Sequence, residues 1–170
     1  MEYRYDSRVE TFKHIAQVGR LLHRCVIDLL QRARDHDQSK LKSPEVESFD
    51  QNTPKLAGLT YGSEEYKACL ADMRPALEHH YRHNRHHPEF HNDGIQGMSL
   101  IDLLEMLCDW KVATLRHNDG DIRKSVEINQ KRFGYSDELK QILLNTLDLL
   151  NIERRCDDGN GTGSNQQTVS

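Results

Sequence analysis

The 170-residue chain has the length of one domain, and a hydrophobic share of 36% predicts a modest core under a charged surface. A formal net charge of -4 gives no basic excess for nucleic acid or an anionic membrane. The four cysteines form no CxxC pair, and no apolar run approaches the roughly 20 residues of a membrane span. The charged start lacks a signal peptide, so we expect a soluble cytoplasmic protein.

The first predicted helices surround a histidine-aspartate pair. Apolar residues recur every three or four positions over residues 7–34, which predicts a long helix with one apolar stripe. His36 and Asp37 follow at its end. Residues 43–45, Ser-Pro-Glu, predict the start of a short helix with Ser as its cap, and residues 52–54, Asn-Thr-Pro, predict its end.

The middle of the chain predicts a kinked helix, a loop and a regular helix. Ser63 begins a helix that we expect to kink at Pro75 and to end at Asn84. The polar loop over residues 91–98 is predicted to be mobile. Ser99, with an acid three residues later, has the pattern of a capping box that opens the next helix.

The C-terminal part predicts two more helices and a tail. One helix covers residues 121–133, and another runs from residue 136 to an end at residues 153–156. Residues 157–170 contain Gly, Ser, Asn and Gln with little apolar content, which is typical of a disordered tail. No strand pattern occurs, so we expect one all-α domain over residues 1–156, built from five to seven helices.

A histidine cluster dominates the chemistry of the sequence. Residues 79–91 read HHYRHNRHHPEFH, and six of the ten histidines lie there. Imidazole is the commonest side-chain metal ligand. His79 and His83 are four residues apart and His80 and His83 three apart, so either pair shares a helix face. The alternative interpretation is a polar surface that happens to be rich in histidine.

Two further segments carry carboxylates that could meet these histidines. His36-Asp37 is followed by Lys40, a mobile cation suited to a phosphate oxygen. Glu105 and Asp109 are four residues apart, and Asp109 lies among apolar neighbours, where a buried carboxylate needs a partner. That partner could be a metal ion, an arginine or a histidine. We predict that the three segments enclose one or two divalent transition-metal ions: Fe, Mn, Zn, Ni or Co, with Mg less favoured.

The combined motifs resemble a known superfamily. His14, His36-Asp37 and Asp109 resemble the H…HD…D signature of HD-domain metal-dependent phosphohydrolases. His80 and His86-His87 resemble its two-metal branch, which includes HDxGK cyclic-dinucleotide phosphodiesterases and di-iron oxygenases such as inositol oxygenase. The motif here reads HDQSK. The combination HDxSK, HHxxxNxHH and EMxxDW is more closely similar to a small uncharacterised family of phages and bacteria.

The resemblance implies a compact HD-like helical bundle and a set of metal ligands. In this set Asp37 bridges two ions, and His23 is a rival to His14 for the first position. Glu105 orients a histidine or adds a ligand. The implied metal ligands are His14, His36, Asp37, His80, His86, His87 and Asp109.

The function that we expect is metal-dependent hydrolysis of a small phosphate ester, such as a nucleotide. Lys40, with Arg82 or Arg85, neutralises the phosphate, and the loop over residues 91–98 acts as a lid. A general acid comes from one of three histidines: His79, His83 or His87. The alternatives are a di-iron oxygenase and a non-catalytic, metal-stabilised binding protein. The sequence leaves open a homodimer.

Overall fold

The computed structural model describes residues 5–59, 63–115 and 120–150. No strand occurs in these ranges, so the predicted all-α class is confirmed. Three short 3-10 helices, Gln38–Leu41, Pro88–Phe90 and Gly94–Gly97, join longer elements. The α-helices of the described ranges are α1 (Arg8–Asp35), α2 (Glu45–Ala57), α3 (Glu64–Asp72), α4 (Arg74–His83), α5 (Leu100–Thr114), α6 (Ile122–Phe133) and α7 (Asp137–Leu150).

The chain divides into two compact units, Met1–Asp109 and Trp110–Ser170. In the second unit, Val126, Leu143 and Leu147 are buried, and the Tyr135 hydroxyl donates to the carbonyl of Val126. The single domain over residues 1–156 stays a prediction. The predicted tail and the helix end at residues 153–156 lie outside the described residues.

Helix α1 lies within one residue of its predicted bounds but has an unexpected environment. It is described over its whole length, and none of its 28 residues is buried. Its apolar stripe is exposed, with Phe12 69%, Ile15 58% and Leu22 60% accessible. Among the described residues, no helix combines the length and apolar content needed to span a bilayer.

Helix α2 differs from its prediction at both ends. Pro44, rather than Ser43, is the cap residue, and the helix continues through Pro54 to Ala57, so the predicted end at residues 52–54 is wrong. Side-chain bonds secure the last turns. Asn52 Nδ2 donates to the carbonyl of Ser48 at 3.0 Å, and Lys55 Nζ donates to Asn52 Oδ1 at 3.0 Å. These bonds offset the hydrogen bond that proline removes.

The predicted kinked helix is two helices. Helix α3 begins at the predicted cap, where Ser63 Oγ accepts from the backbone N–H of Tyr66, and it ends at the buried Met73. Pro75 lies in the first turn of α4, where a missing N–H breaks no helical bond. The prediction of a kink at Pro75 is therefore wrong, whereas the predicted end at Asn84 is confirmed.

Helix α5 begins with the predicted capping box. The Ser99 N–H donates to Asp102 Oδ2 at 2.8 Å, and the Asp102 N–H donates to Ser99 Oγ at 3.1 Å. Before it, the 3-10 helix Gly94–Gly97 structures the loop over residues 91–98, whose mobility and lid role stay predictions. The core of the first unit is mixed. Its apolar members are Cys69, Met73, Ala76, Leu103, Met106 and Leu107. Its polar members are Glu45, Asn52, His80, His86 and Asp102.

Candidate metal centre

The chain leaves the helical conformation at the end of α1. His36 has φ -52° and ψ 127°, and Asp37 has φ 56°, in the left-handed region. Aspartate tolerates that region because its short side chain can hydrogen-bond locally. The bend resolves a problem of helix geometry, where adjacent side chains point about 100° apart. It brings His36 Nε2 to 3.5 Å from Asp37 Oδ2.

The last turn of α4 and the segment that follows it supply three imidazoles. Asn84 ends the helix, and its Nδ2 donates to the carbonyl of His80 at 2.8 Å. His86 and His87 follow in non-helical backbone. His80 lies on the last turn of α4, and the side chains of His80 and His86 are each 2% exposed. A helix end and an adjoining turn thus bring ligands to one place that a straight helix would separate.

We call Asp37, His80, His86 and His87 the inner cluster. One ligand atom from each lies within 4.8 Å of the others. Asp37 Oδ1 is 3.2 Å from His80 Nε2 and 3.4 Å from His86 Nε2. Among the described residues, these atoms and His87 Nε2 are buried without a hydrogen-bond partner.

Four unpaired buried polar atoms in one place need a physical explanation. Each such atom costs roughly 1–3 kcal/mol when it has no partner. Three imidazole nitrogens and a carboxylate oxygen form a ligand set typical of Zn, Fe, Mn, Co or Ni. The clustered side chains of the inner cluster could therefore hold a metal ion, and the donor set fits one.

We call His36, Asp37 and Asp109 the outer cluster. Its ligand atoms also lie within 4.8 Å of one another, and His36 Nε2 is 3.8 Å from Asp109 Oδ1. These side chains are 20–30% exposed, unlike the buried histidines of the inner cluster. Lys40 Nζ donates to Asp37 Oδ2 at 2.6 Å. Asp37 therefore presents Oδ1 to the inner cluster and Oδ2 to the outer one.

Glu45 orients one ligand of the inner cluster. Its carboxylate is fully buried, and Oε2 lies 2.9 Å from His80 Nδ1. Oε1 lies 2.7 Å from His79 Nδ1, and Ser39 Oγ donates to Oε2 at 3.0 Å. A carboxylate that accepts a hydrogen bond from Nδ1–H fixes the tautomer and leaves the Nε2 lone pair for an ion. Glu45 thus directs His80 Nε2 toward Asp37.

Glu105 orients one ligand of each cluster. Its Oε1 lies 2.9 Å from His36 Nδ1 and 3.3 Å from His86 Nδ1. Arg32 Nη1 donates to the other oxygen, Oε2, at 3.0 Å. His36, His86 and Glu105 could also form an ion site of their own. The hydrogen bonds already satisfy both Nδ1 atoms, so orientation accounts for the arrangement.

An ion-pair frame holds Glu105 in place. Arg32 Nη1 also donates to Asp102 Oδ1 at 2.7 Å, and Arg85 Nε donates to the same oxygen at 3.2 Å. Asp102 is fully buried and accepts two further bonds from Ser99. Burial alone would raise the pKa of Asp102, but the bonds from Arg85, Ser99 and Arg32 lower it. The frame joins the end of α1 to the start of α5.

The electrostatics differ between the two clusters. The carboxylates of Asp109 and Glu105 raise the pKa of His36 to about 10. Burial and the neighbouring His86 and His80 lower the pKa of His87 to about 3. Burial would raise the pKa of Asp37, but the neighbouring imidazole of His80 and the hydrogen bond from Lys40 hold it below its usual range. At neutral pH, His36 is a cation that must lose a proton to ligate, whereas His87 is already neutral.

The structure does not bring His14 or His23 to the centre. They precede His36 on α1 by 22 and 13 residues, about 33 and 20 Å at 1.5 Å per residue. Three other predicted residues have contacts elsewhere. Arg82 lies 3.6 Å from Glu78, and Arg85 belongs to the frame. The exposed His83 stacks on His79 at 3.9 Å and bonds to its carbonyl.

A cleft of about 490 Å³ borders the centre on the side of the orienting carboxylate. His36, His86 and Glu105 line it, together with Arg32 and Arg85. Among its described lining residues, Asp37, Lys40 and Asp109 are absent. The cleft therefore contacts one ligand of each cluster, His86 and His36, while Asp37 and Asp109 lie outside its lining.

Glu45 and Arg32 are the residues that the sequence did not indicate. Glu45 has the pattern of a first-turn acid in α2, and 35 residues separate it from His80. Arg32 is one of two basic residues in the last turn of α1. Neither carries a local signal for its role. Their partners become evident only when α1, α2, α4 and α5 are placed in space.

Comparisons with known proteins give one family. No curated protein and no solved structure matches the chain significantly. The model of a family of unknown function, DUF5662, matches residues 1–149, which include both clusters and both orienting carboxylates. The HD-domain resemblance therefore stays a prediction. Because the match covers most of its length, the chain belongs to the DUF5662 family.

Proposed function

We propose that this protein is a metal-dependent phosphohydrolase whose centre holds two ions that share Asp37. The observation that carries the proposal is the division of the Asp37 carboxylate. Oδ1 faces the buried imidazoles of His80 and His86, and Oδ2 faces His36 and the ammonium of Lys40. A carboxylate between two ligand clusters is suited to two ions about 3.5–4 Å apart, a spacing common in phosphoryl-transfer sites.

The two clusters suit different tasks. Four protein ligands surround the inner position, which is closed by burial. The outer cluster offers three ligands and is accessible, which leaves room for water and substrate. Bound ions would supply Lewis acidity and a water of lowered pKa. The mobile ammonium of Lys40 would neutralise the charge of a phosphate ester there.

The positive charge and the accessibility of the outer position support a class of substrate. A cationic lysine and a cation site beside open solvent favour a small phosphate ester, such as a nucleotide. His36 and Asp109 would hold the outer ion, and Glu105 would keep His36 in its ligating tautomer. The other predicted groups, Arg82, Arg85 and a general acid such as His83, have no contact that supports a role in this chemistry.

The test is metal content measured together with hydrolysis. Protein purified without a histidine tag is analysed for metals and assayed on a generic phosphodiester and a panel of nucleotides. We expect at least one ion per chain and hydrolysis, with both lost in Asp37→Ala. The matched control is Asp50→Ala, an exposed aspartate on α2, which should keep both.

Two other results would redirect the proposal. Bound iron with oxygen consumption and no hydrolysis would favour the di-iron oxygenase. One tightly held ion with neither activity would favour a metal-stabilised binding protein. Normal folding without any bound metal would contradict the metal centre itself.

A further inference from the structure

Lys40 lies where an outer ion would bind. Its Nζ is 2.6 Å from Asp37 Oδ2, the oxygen that also faces His36 Nε2 at 3.5 Å. An ion held by that oxygen would stand about 2.0–2.2 Å from it. The ammonium and the ion would then compete for one oxygen. Two cations in adjoining positions repel strongly in a partly buried site.

The inner position is free of this competition. Asp37 Oδ1 faces His80 and His86, and Lys40 donates to the opposite oxygen. Its ammonium therefore opposes an ion at the outer position far more than one at the inner position. The protein would bind its first ion among the buried imidazoles and its second only when Lys40 withdraws.

The Lys40 side chain can withdraw without a change of fold. Its backbone N–H is fixed to the carbonyl of Asp37 at 2.9 Å within the short 3-10 helix. The side chain is 30% exposed and lies with its ammonium 5.3 Å from the Phe49 ring. A lysine stem has four flexible carbons, so its ammonium can turn toward solvent while the backbone stays in place.

We propose that a phosphate oxyanion loads the outer position by drawing the Lys40 ammonium away from Asp37. The anion offers Lys40 a new partner and leaves Asp37 Oδ2 free for a second ion. The substrate would thereby complete the centre that acts on it, and the resting protein would hold one ion. This inference rests on the proposed function, because it requires both ion positions.

The experiment counts Mn²⁺ ions on the full chain by equilibrium dialysis, with and without millimolar inorganic phosphate. We expect wild-type protein to bind one ion tightly and a second about tenfold more weakly, and phosphate to remove most of this difference. Lys40→Met should bind two ions with or without phosphate. Lys42→Met removes a neighbouring exposed lysine and should behave as wild type.

The results separate this inference from the proposed function. Two ions of equal affinity in wild-type protein without phosphate would overturn the inference and leave the phosphohydrolase intact. Unchanged weak second binding in Lys40→Met would overturn it as well. No ion in any variant would contradict the metal centre. If Lys40→Met fails to fold, Lys40→Gln takes its place in the same measurement.

Discussion

The inner and outer clusters share one aspartate but differ in every other respect. The inner cluster is buried, has four ligand atoms and contains a neutral His87. The outer cluster is partly exposed, has three ligand atoms, contains the protonated His36 and faces the ammonium of Lys40. The difference indicates that one position is built to retain an ion. The other is built to exchange ions, protons and anions.

The largest expected effect is a loss of folding stability when the ion-pair frame that supports both clusters is broken. Asp102→Asn takes one charge from the frame and leaves Arg32, which is 14% exposed, with weaker pairing. Breaking a buried ion pair costs about 3–5 kcal/mol, so we expect a loss of this order in the free energy of unfolding. Urea denaturation at neutral pH measures it. A decrease in the free energy of unfolding below about 1 kcal/mol would show that the frame contributes no more than a surface ion pair.

Single ligand changes should separate the clusters. His80→Ala removes a ligand used only by the inner position, and Asp109→Ala removes one used only by the outer position. We expect Asp109→Ala to lose one ion of two, with hydrolysis reduced at least about 100-fold. His80→Ala should lose the tightly held ion. In protein saturated with Mn²⁺ and phosphate, an unchanged content of two ions in either variant, measured by elemental analysis, would contradict two separate positions.

The orienting carboxylates give a finer version of the same separation. Glu45→Gln loosens His80 alone, and Glu105→Gln loosens His36 and His86. Loss of an orienting partner costs about 10–100-fold in metal affinity. We therefore expect Glu45→Gln to weaken only the inner position and Glu105→Gln to weaken both, as measured by chelator competition.

A control for these changes is the imidazole tautomer. ¹⁵N NMR of metal-free wild-type protein should show His80 and His86 as Nδ1–H tautomers. If Glu45→Gln weakens both positions equally, the carboxylates act on folding rather than on orientation.

The smallest expected effect is on pH dependence. The folded pKa of His36 is raised to about 10 by Asp109 and Glu105, so an ion at the outer position must displace its proton. The affinity of the outer position for a metal ion should rise about tenfold per pH unit through neutral pH. His87, with a pKa of about 3, adds no such dependence to the inner position. Proton release measured in two buffers of different ionisation enthalpy checks this.

The raised pKa of His36 also makes the stability of the metal-free protein depend on pH. The charged His36 contributes stability that is fully present below its unfolded pKa of about 6.5 and is lost as pH rises toward 10. In metal-free protein we therefore expect thermal stability to decrease between these values. His36→Gln should flatten this part of the profile, and an unchanged profile would show that His36 is not the group involved.

The sequence predicted the parts of the centre that depend on local signals. The end of α1 and the end of α4 follow from periodicity and from Asn84, and they correctly place His36-Asp37 and His86-His87 outside helices. The prediction of a kink at Pro75 was wrong because a proline residue alone does not distinguish a helix start from a helix interior. Glu45 could not be found, because no pattern joins α2 to a histidine on α4.

The orientation of the imidazoles has a consequence for the choice of ion. Glu45, Glu105 and the ion pairs with Arg32 fix the ligands through bonds that need no ion. The conformational entropy of the ligands is therefore lost when the chain folds rather than when an ion arrives. A zinc finger couples these two events, and its metal is bound for the lifetime of the fold. Here they are separate, so the ion that occupies the centre would follow the metals available in its surroundings.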